Sequence, residues 1–101
     1  MAHRSILVVD VTPGKRDEAI KAFIDRGIIS ECADAIPAFV SGRVWASDIN
    51  PDRLNVECDW SEEQGWHDWI ASPVRAKQME DLGHYVAKVV QSEVFAPVDI
   101  T

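Results

Sequence analysis

The stretch over residues 39–72 constrains the fold of this chain more than any other. Apolar residues alternate with polar ones over residues 39–46 and again over 54–60, and this alternation predicts two strands. Residues 47–53, SDINPDR, are rich in turn-forming types and predict a tight hairpin. After residue 60 the apolar spacing changes from two to between three and four, so a short Trp-rich helix follows directly.

Charged residues indicate the register of this hairpin. If Arg43 faces Glu57 and Ser41 faces Asp59, opposite charges meet across the two strands. A shift of one residue would move both acids to the side that carries the valines, so this register is strongly preferred. The second strand then has one apolar face, made of Leu54, Val56, Cys58 and Trp60.

The flanking segments complete one α+β domain over residues 1–101. A β-branched strand is expected over 5–11, a turn at 12–14 and an amphipathic helix from 15 to about 29. A connector follows over 30–36, which could contain a further helical turn through Glu31 and Ala35. Ser61 and Ser72 are predicted N-caps of the two later helices, with Pro73 at the first helical position. A closing strand is expected over 87–97. The order β-α-β-β-α-β predicts a ferredoxin-like fold with an antiparallel sheet.

The two faces of this sheet differ in polarity. Helices are expected to cover the more apolar face, which carries Leu7, Val9, Val11, Val40, Val44, Val56, Cys58 and Val90. The other face mixes charged residues with six apolar ones: Ile6, Val8, Phe39, Trp45, Val89 and Phe95. This is too much apolar surface to leave in water on a small sheet. A second copy of the same face would bury it, so the sequence predicts an isologous homodimer through the open sheet face.

Composition excludes several classes of function. The formal net charge is −7, with ten basic residues scattered among seventeen acidic ones, which disfavours nucleic acid and anionic membranes as partners. Apolar runs such as residues 6–9 are too short to cross a membrane, and nothing at the N-terminus indicates export. The two distant cysteines are expected to be reduced structural thiols of a cytoplasmic protein, and three scattered histidines predict no metal site.

Three stretches carry a family resemblance. VTPGK (residues 11–15), ECDWSEEQGWHDWIASP (57–73) and VRAKQM (74–79) resemble the antibiotic biosynthesis monooxygenase family. The resemblance implies a dimeric α+β barrel with a pocket between sheet and helices. It also implies a monooxygenase that needs no metal, flavin or other cofactor and oxidises a small apolar or aromatic metabolite with molecular oxygen. Other members are isomerases, and a non-catalytic ligand-binding or accessory protein of the same fold stays open.

A haem-degrading branch of the family is disfavoured. That branch has an Asn on the first strand, a Trp on the short helix and an axial His further along. These positions fall near Leu7, at Trp69 and near Met79, so only the Trp matches.

The monooxygenase hypothesis suggests candidate site residues. His67 is a candidate general base, since an imidazole has a pKa near ~6.5, and Arg75 is a candidate to hold the negative charge of a substrate oxyanion. The alternatives are an exposed helix histidine, and an arginine that forms a surface ion pair or lays its stem over the core. The predicted pocket lining is Trp66, Trp69, Met79, Leu7, Val9, Val44 and Phe23, all of which could instead fill a core.

Overall fold

The computed structural model describes residues 2–100. Within them, four strands form one antiparallel sheet in the order β2-β3-β1-β4. The strands are β1 (His3–Val11), β2 (Phe39–Ala46), β3 (Arg53–Trp60) and β4 (Val86–Phe95). The predicted ferredoxin-like α+β fold is confirmed, and β2 and β4 are the edge strands of its sheet.

Each crossover of this fold contains two helices rather than one. The first has α1 (Arg16–Arg26) and α2 (Ile28–Ala35), and the second has α3 (Glu63–Ile70) and α4 (Pro73–Leu82). A 3-10 turn (Gly83–Tyr85) then leads into β4. The element order is therefore β-α-α-β-β-α-α-β.

Gly27 divides the first crossover. Its φ of 71° is left-handed, and its N–H donates to the carbonyls of Phe23 and Ile24, which ends α1. The chain then restarts as α2, which buries Cys32 against the sheet. The predicted helix end near residue 29 is therefore wrong, whereas the further helical turn considered through Glu31 and Ala35 is part of α2.

The caps of α3 and α4 differ from each other. The Ser72 hydroxyl accepts a hydrogen bond from the Val74 N–H at 3.1 Å, and Pro73 is the first helical residue, so this predicted helix start is confirmed. The prediction for Ser61 is wrong, because Glu62 occupies the N-cap position of α3 and its side chain makes no capping bond.

The predicted hairpin register is confirmed. Arg43 pairs with Glu57 and Ser41 with Asp59 across β2 and β3. Trp60 is fully buried on the helix side, where its Nε1–H donates to the Ser5 hydroxyl at 2.9 Å. A buried indole is tolerated there because its one polar group has a partner.

Two β-bulges shift residues away from their predicted faces. Val40 is an extra residue in β2, so Phe39 lies on the helix side, with its ring 5.9 Å from that of Trp60. Val90 is an extra residue in β4, so Val89 pairs with Val9 on the helix side. The predicted faces of Phe39 and Val89 are therefore wrong, and Val40 and Val90 are exposed instead of covered.

The four helices pack on the sheet face that carries Leu7, Val9, Val56 and Cys58. In the described part of the chain no helix covers the opposite face, where Trp45 keeps 52% and Phe95 43% of its surface exposed. Ion pairs run between strands on this open face, including Arg4 with Asp59 at 2.8 Å. Nowhere in residues 2–100 is a helix long and apolar enough to cross a membrane.

Candidate functional site

A pocket lies between the sheet and the helices α1, α2, α3 and α4. Its cavity volume is about 100 Å³, and its walls are mostly apolar. The sheet contributes the floor, and α4 contributes one whole side. The lining consists of Leu7, Val9, Phe23, Ile28, Ile29, Cys32, Val56, Cys58, Trp69, Arg75, Gln78, Met79, Leu82, Val86 and Val89.

Arg75 is the charged residue of this lining. The start of α4 at Pro73 fixes its place in the first turn, on the helix face that continues through Met79 and Leu82. Burial lowers the pKa of the Arg75 guanidinium. Among residues 2–100 no carboxylate, carbonyl or hydroxyl bonds to it, so the pocket contains an uncompensated positive charge. Such a wall favours a ligand that brings a negative charge.

Gln78 lies one turn further along α4 and is more than nine-tenths buried. Its Nε2 donates to the Ile28 carbonyl at 3.2 Å and to Glu31 Oε1 at 3.0 Å. Glu31 is held in turn by Arg26, whose hydrogen bond lowers the pKa of the Glu31 carboxyl, and the bond from Gln78 lowers it further. A network reaching from α1 to α4 thus fixes the amide of Gln78.

The two cysteines also line the pocket. Burial raises the pKa of Cys32 to about 12 and that of Cys58 to about 11, so both are neutral thiols at pH 7. Neither forms a disulfide. A nucleophilic role needs a thiolate, so these side chains act as small apolar wall groups.

The structure brings together six of the predicted site residues: Arg75, Trp69, Met79, Leu7, Val9 and Phe23.

Three other predicted site residues lie elsewhere. His67 is about half exposed on α3, with Nε2 2.9 Å from Glu63 Oε2. Trp66 packs in the cluster around Trp60. Val44 lines a second, open groove of about 470 Å³ beside α1, α2 and β2, whose lining includes no charged side chain.

Gln78, Val89 and the α2 residues Ile28, Ile29 and Cys32 line the pocket but were not predicted. A glutamine in an amphipathic helix is normally assigned to the solvent side, so only its spacing of three from Arg75 could have indicated it. The bulge moved Val89, and the α2 residues were treated as part of a loop or helix end. Within the described part of the chain, no three His, Cys, Asp or Glu side chains group as a metal site would require.

The strand order and the helices on one face of the sheet define a ferredoxin-like α+β fold. Solved structures of similar fold match the chain over almost its whole length. Two of them, from Bordetella bronchiseptica and Chloroflexus aurantiacus, are each named "putative antibiotic biosynthesis monooxygenase". The first has a TM-score of 0.82 at 16% identity, covering 96% of this chain and 97% of that one. The second has a TM-score of 0.71 at 19% identity, covering 98% and 95%.

A third similar structure is a variant of SnoaB, a cofactor-independent oxygenase from Streptomyces nogalater. Its TM-score is 0.75 at 12% identity, and the match covers 97% of this chain and 94% of that one. No protein-family model matches the sequence, and neither does any curated protein. The resemblance to the antibiotic biosynthesis monooxygenases is therefore confirmed as a likeness of fold, at identities that leave the activity open.

Proposed function

We propose that this protein is a cytoplasmic, homodimeric, cofactor-independent monooxygenase that oxidises a small aromatic metabolite with molecular oxygen. The observation that carries the proposal is the guanidinium of Arg75, which has no partner among residues 2–100, in a mostly apolar pocket that Trp69 also lines. A phenol or enol enters such a site most favourably as its anion, because the Arg75 cation then gains a partner that the described residues do not supply.

The proposed chemistry uses this anion as the reductant. An electron-rich phenolate or enolate reacts with O2, and one oxygen atom enters the substrate as a new carbonyl. The other oxygen leaves as water, with the one hydrogen of the oxidised carbon and the proton that the substrate hydroxyl lost when the anion formed. Arg75 supports the step by stabilising the oxyanion in a site of low dielectric constant. Trp69 provides a flat apolar wall against which an aromatic ring can stack. The neutral thiols take no part.

Cavity size limits the part of the substrate that is enclosed. An apolar cavity of about 150 Å³ holds one benzene ring, and this one has about 100 Å³. Met79 lines it and is 39% exposed, so a flexible side chain lies at its border with solvent. A single ring therefore enters after a small movement of Met79, and any further rings of a larger substrate stay at the mouth.

The homodimer is supported by the open sheet face. Trp45 and Phe95 leave large apolar surfaces in water there, next to the half-buried Ile6 and Val8. An isologous partner would bury these four side chains against their equivalents. Light scattering tests this: a dimer is expected for the wild type, and Trp45→Glu is expected to give a monomer because it places a carboxylate at the proposed interface.

A non-catalytic binding protein is the second candidate, since the same pocket and the same cation would also retain an aromatic anion without oxidising it. An isomerase acting through an enolate would likewise use Arg75. Oxygen consumption separates these three. An electrode measurement with anthrone and with smaller phenols is expected to show enzyme-dependent uptake, whereas binding without uptake would leave the binding protein or the isomerase.

Variants of the two tryptophans test the pocket itself. Trp69→Ala is expected to abolish uptake and ligand binding, while the matched Trp66→Ala, outside the lining, retains both. Circular dichroism and light scattering confirm that each variant is folded and in the wild-type oligomeric state. Unchanged uptake in a folded Trp69→Ala variant would contradict the proposed site.

The sequence-based prediction of His67 as general base can be tested directly, and we expect the test to contradict it. Because its ring pairs with Glu63 outside the pocket lining, His67→Gln is expected to keep uptake within about threefold of the wild type. A loss of 10²-fold or more, of the order that general-base catalysis contributes, would show that His67 takes the substrate proton.

A further inference from the structure

We propose that Gln78 is a specificity-determining residue, whose Oε1 accepts a hydrogen bond from a hydroxyl of the same ligand whose anionic oxygen Arg75 binds. The ligand class is then narrower than an aromatic anion. It is an aromatic acid or enol that carries a second, protonated hydroxyl. This inference rests on the proposed pocket function.

The orientation of the Gln78 amide is determined by its partners. The Ile28 carbonyl and Glu31 Oε1 are both acceptors, so the NH2 group of Gln78 must face them. The Arg26 guanidinium keeps Glu31 charged, as the lowered pKa of that carboxyl indicates. Both hydrogens of Nε2 are therefore engaged, and Oε1 is directed away from these two partners.

This oxygen has no donor within the described part of the chain. Gln78 makes its two hydrogen bonds through Nε2, and Oε1 is not among the fully enclosed polar atoms that lack a partner. It is therefore an acceptor that is not fully enclosed, on a residue that is more than nine-tenths buried and lines the pocket. An unused acceptor in such a place gains most from a donor that arrives with the ligand.

Arg75 and Gln78 together form a donor and an acceptor side by side. They are three residues apart on α4, so their side chains are neighbours on one helix face, and both line the pocket. The rest of the lining is apolar apart from two neutral thiols, which are weak hydrogen-bonding groups, and the indole N–H of Trp69, which can only donate. Recognition of a ligand hydroxyl as a donor therefore depends on the Oε1 acceptor of Gln78.

Matched benzoates test the inference by isothermal titration calorimetry at pH 7. The probes are 3-hydroxybenzoate and 3-methoxybenzoate, which share the carboxylate for Arg75 and differ in the hydroxyl donor. The wild type is expected to bind the hydroxy acid about five- to tenfold more tightly, the effect of one hydrogen bond in a partly buried site. Gln78→Met removes the acceptor at similar length and is expected to bring the two affinities within twofold.

The control variant is Gln64→Met, which alters an exposed glutamine of α3 bonded to Asp68 and is expected to keep the wild-type preference. Gln78→Asn shortens the same side chain by one methylene, and it replaces Gln78→Met if that variant does not fold. Equal binding of the two acids by the wild type, or a preference that survives in both Gln78 variants, would overturn this inference alone. If neither acid binds the wild type, the proposed pocket is overturned and the inference with it.

Discussion

Replacement of Arg75 by methionine is expected to stabilise the fold while it weakens the binding of anions. The arginine places a charge in the apolar pocket wall without a partner in the described part of the chain, and burial lowers its pKa. Methionine keeps a similar length of apolar stem and removes the charge. A residue that costs stability in the free protein and helps only when a ligand is present is typical of a functional site.

The size of the expected stabilisation follows from the burial of Arg75. Replacing fully buried ion pairs by apolar groups raises the free energy of unfolding by about 1–4 kcal/mol. Arg75 is only partly buried and retains some hydration, so the gain is expected near the lower limit, at about 1 kcal/mol. For a chain of 101 residues this corresponds to a rise in Tm of about 4–8 °C. Loss of a charged hydrogen bond should weaken anion binding by about 10- to 100-fold.

Thermal and urea unfolding followed by circular dichroism measure the first effect, and calorimetry with 3-hydroxybenzoate measures the second. Lys77→Met is the matched control, because Lys77 lies on the outer side of the same helix with Nζ 3.2 Å from Asp81 Oδ1. That variant is expected to be neutral or slightly destabilised. If the free energy of unfolding of Arg75→Met is lower than that of the wild type by about 1 kcal/mol or more, the expected stabilisation is refuted. The arginine stem would then be shown to support the core.

Three further predictions concern the framework around the pocket. Gly65→Ala is expected to lower the unfolding free energy by about 1–3 kcal/mol, because the new Cβ would lie 2.7 Å from Ala38 Cβ. Ser72→Ala is expected to cost about 1 kcal/mol through the loss of the α4 cap. The Arg4 hydrogen bond holds the pKa of Asp59 below its usual value. At pH 7 the wild type is therefore expected to have a higher free energy of unfolding than Asp59→Asn. This difference is expected to shrink below about pH 4, where the Asp59 carboxylate becomes protonated.

Urea unfolding measures all three, and the chain offers controls for the first two. Gly83→Ala is expected to be harmless, since an added Cβ there meets nothing within 4 Å. Ser61→Ala is expected to change little, since Ser61 does not cap α3. If Gly65→Ala and Gly83→Ala lose the same free energy of unfolding, the close packing assigned to Gly65 is contradicted. If the two serine variants lose the same amount, the cap assigned to Ser72 is contradicted. For Asp59, a stability difference that persists unchanged down to pH 2 would contradict the proposed linkage.

The central hairpin could be predicted from sequence because two independent signals agreed there. Alternation placed Leu54 and Trp60 on the buried face, and complementary charge placed Arg43 opposite Glu57. A one-residue slip would have violated both conditions. The N-cap at Ser72 was predictable for a similar reason, since a serine followed by proline satisfies two local preferences.

Local irregularities account for the errors. A bulge adds one residue and reverses the alternation beyond it, so Phe39 and Val89 were assigned to the wrong face. No residue type in FVS or KVVQ marks such an insertion. Gly27 did mark the end of α1, but α2 is only eight residues long and its stability comes from packing Cys32 against the sheet.

Sequence patterns predicted part of the candidate site, including Arg75, but not the position of Gln78. Helical spacing placed Arg75 and Met79 on one face, and both line the pocket. The position of Gln78 depends on partners 47 and 50 residues away, Glu31 and the Ile28 carbonyl. Contacts of that range are set by tertiary packing, which local sequence patterns do not encode.

Both outer strands of the sheet carry inserted residues, Val40 in β2 and Val90 in β4. These strands present the backbone N–H and C=O groups that another extended chain could pair with. An insertion breaks the even spacing of those groups and increases the local twist. A strand from a neighbouring molecule would therefore lose its match after a few residues. The same irregularity that moved Val89 into the pocket wall also hinders the growth of ordered aggregates along either border of the sheet.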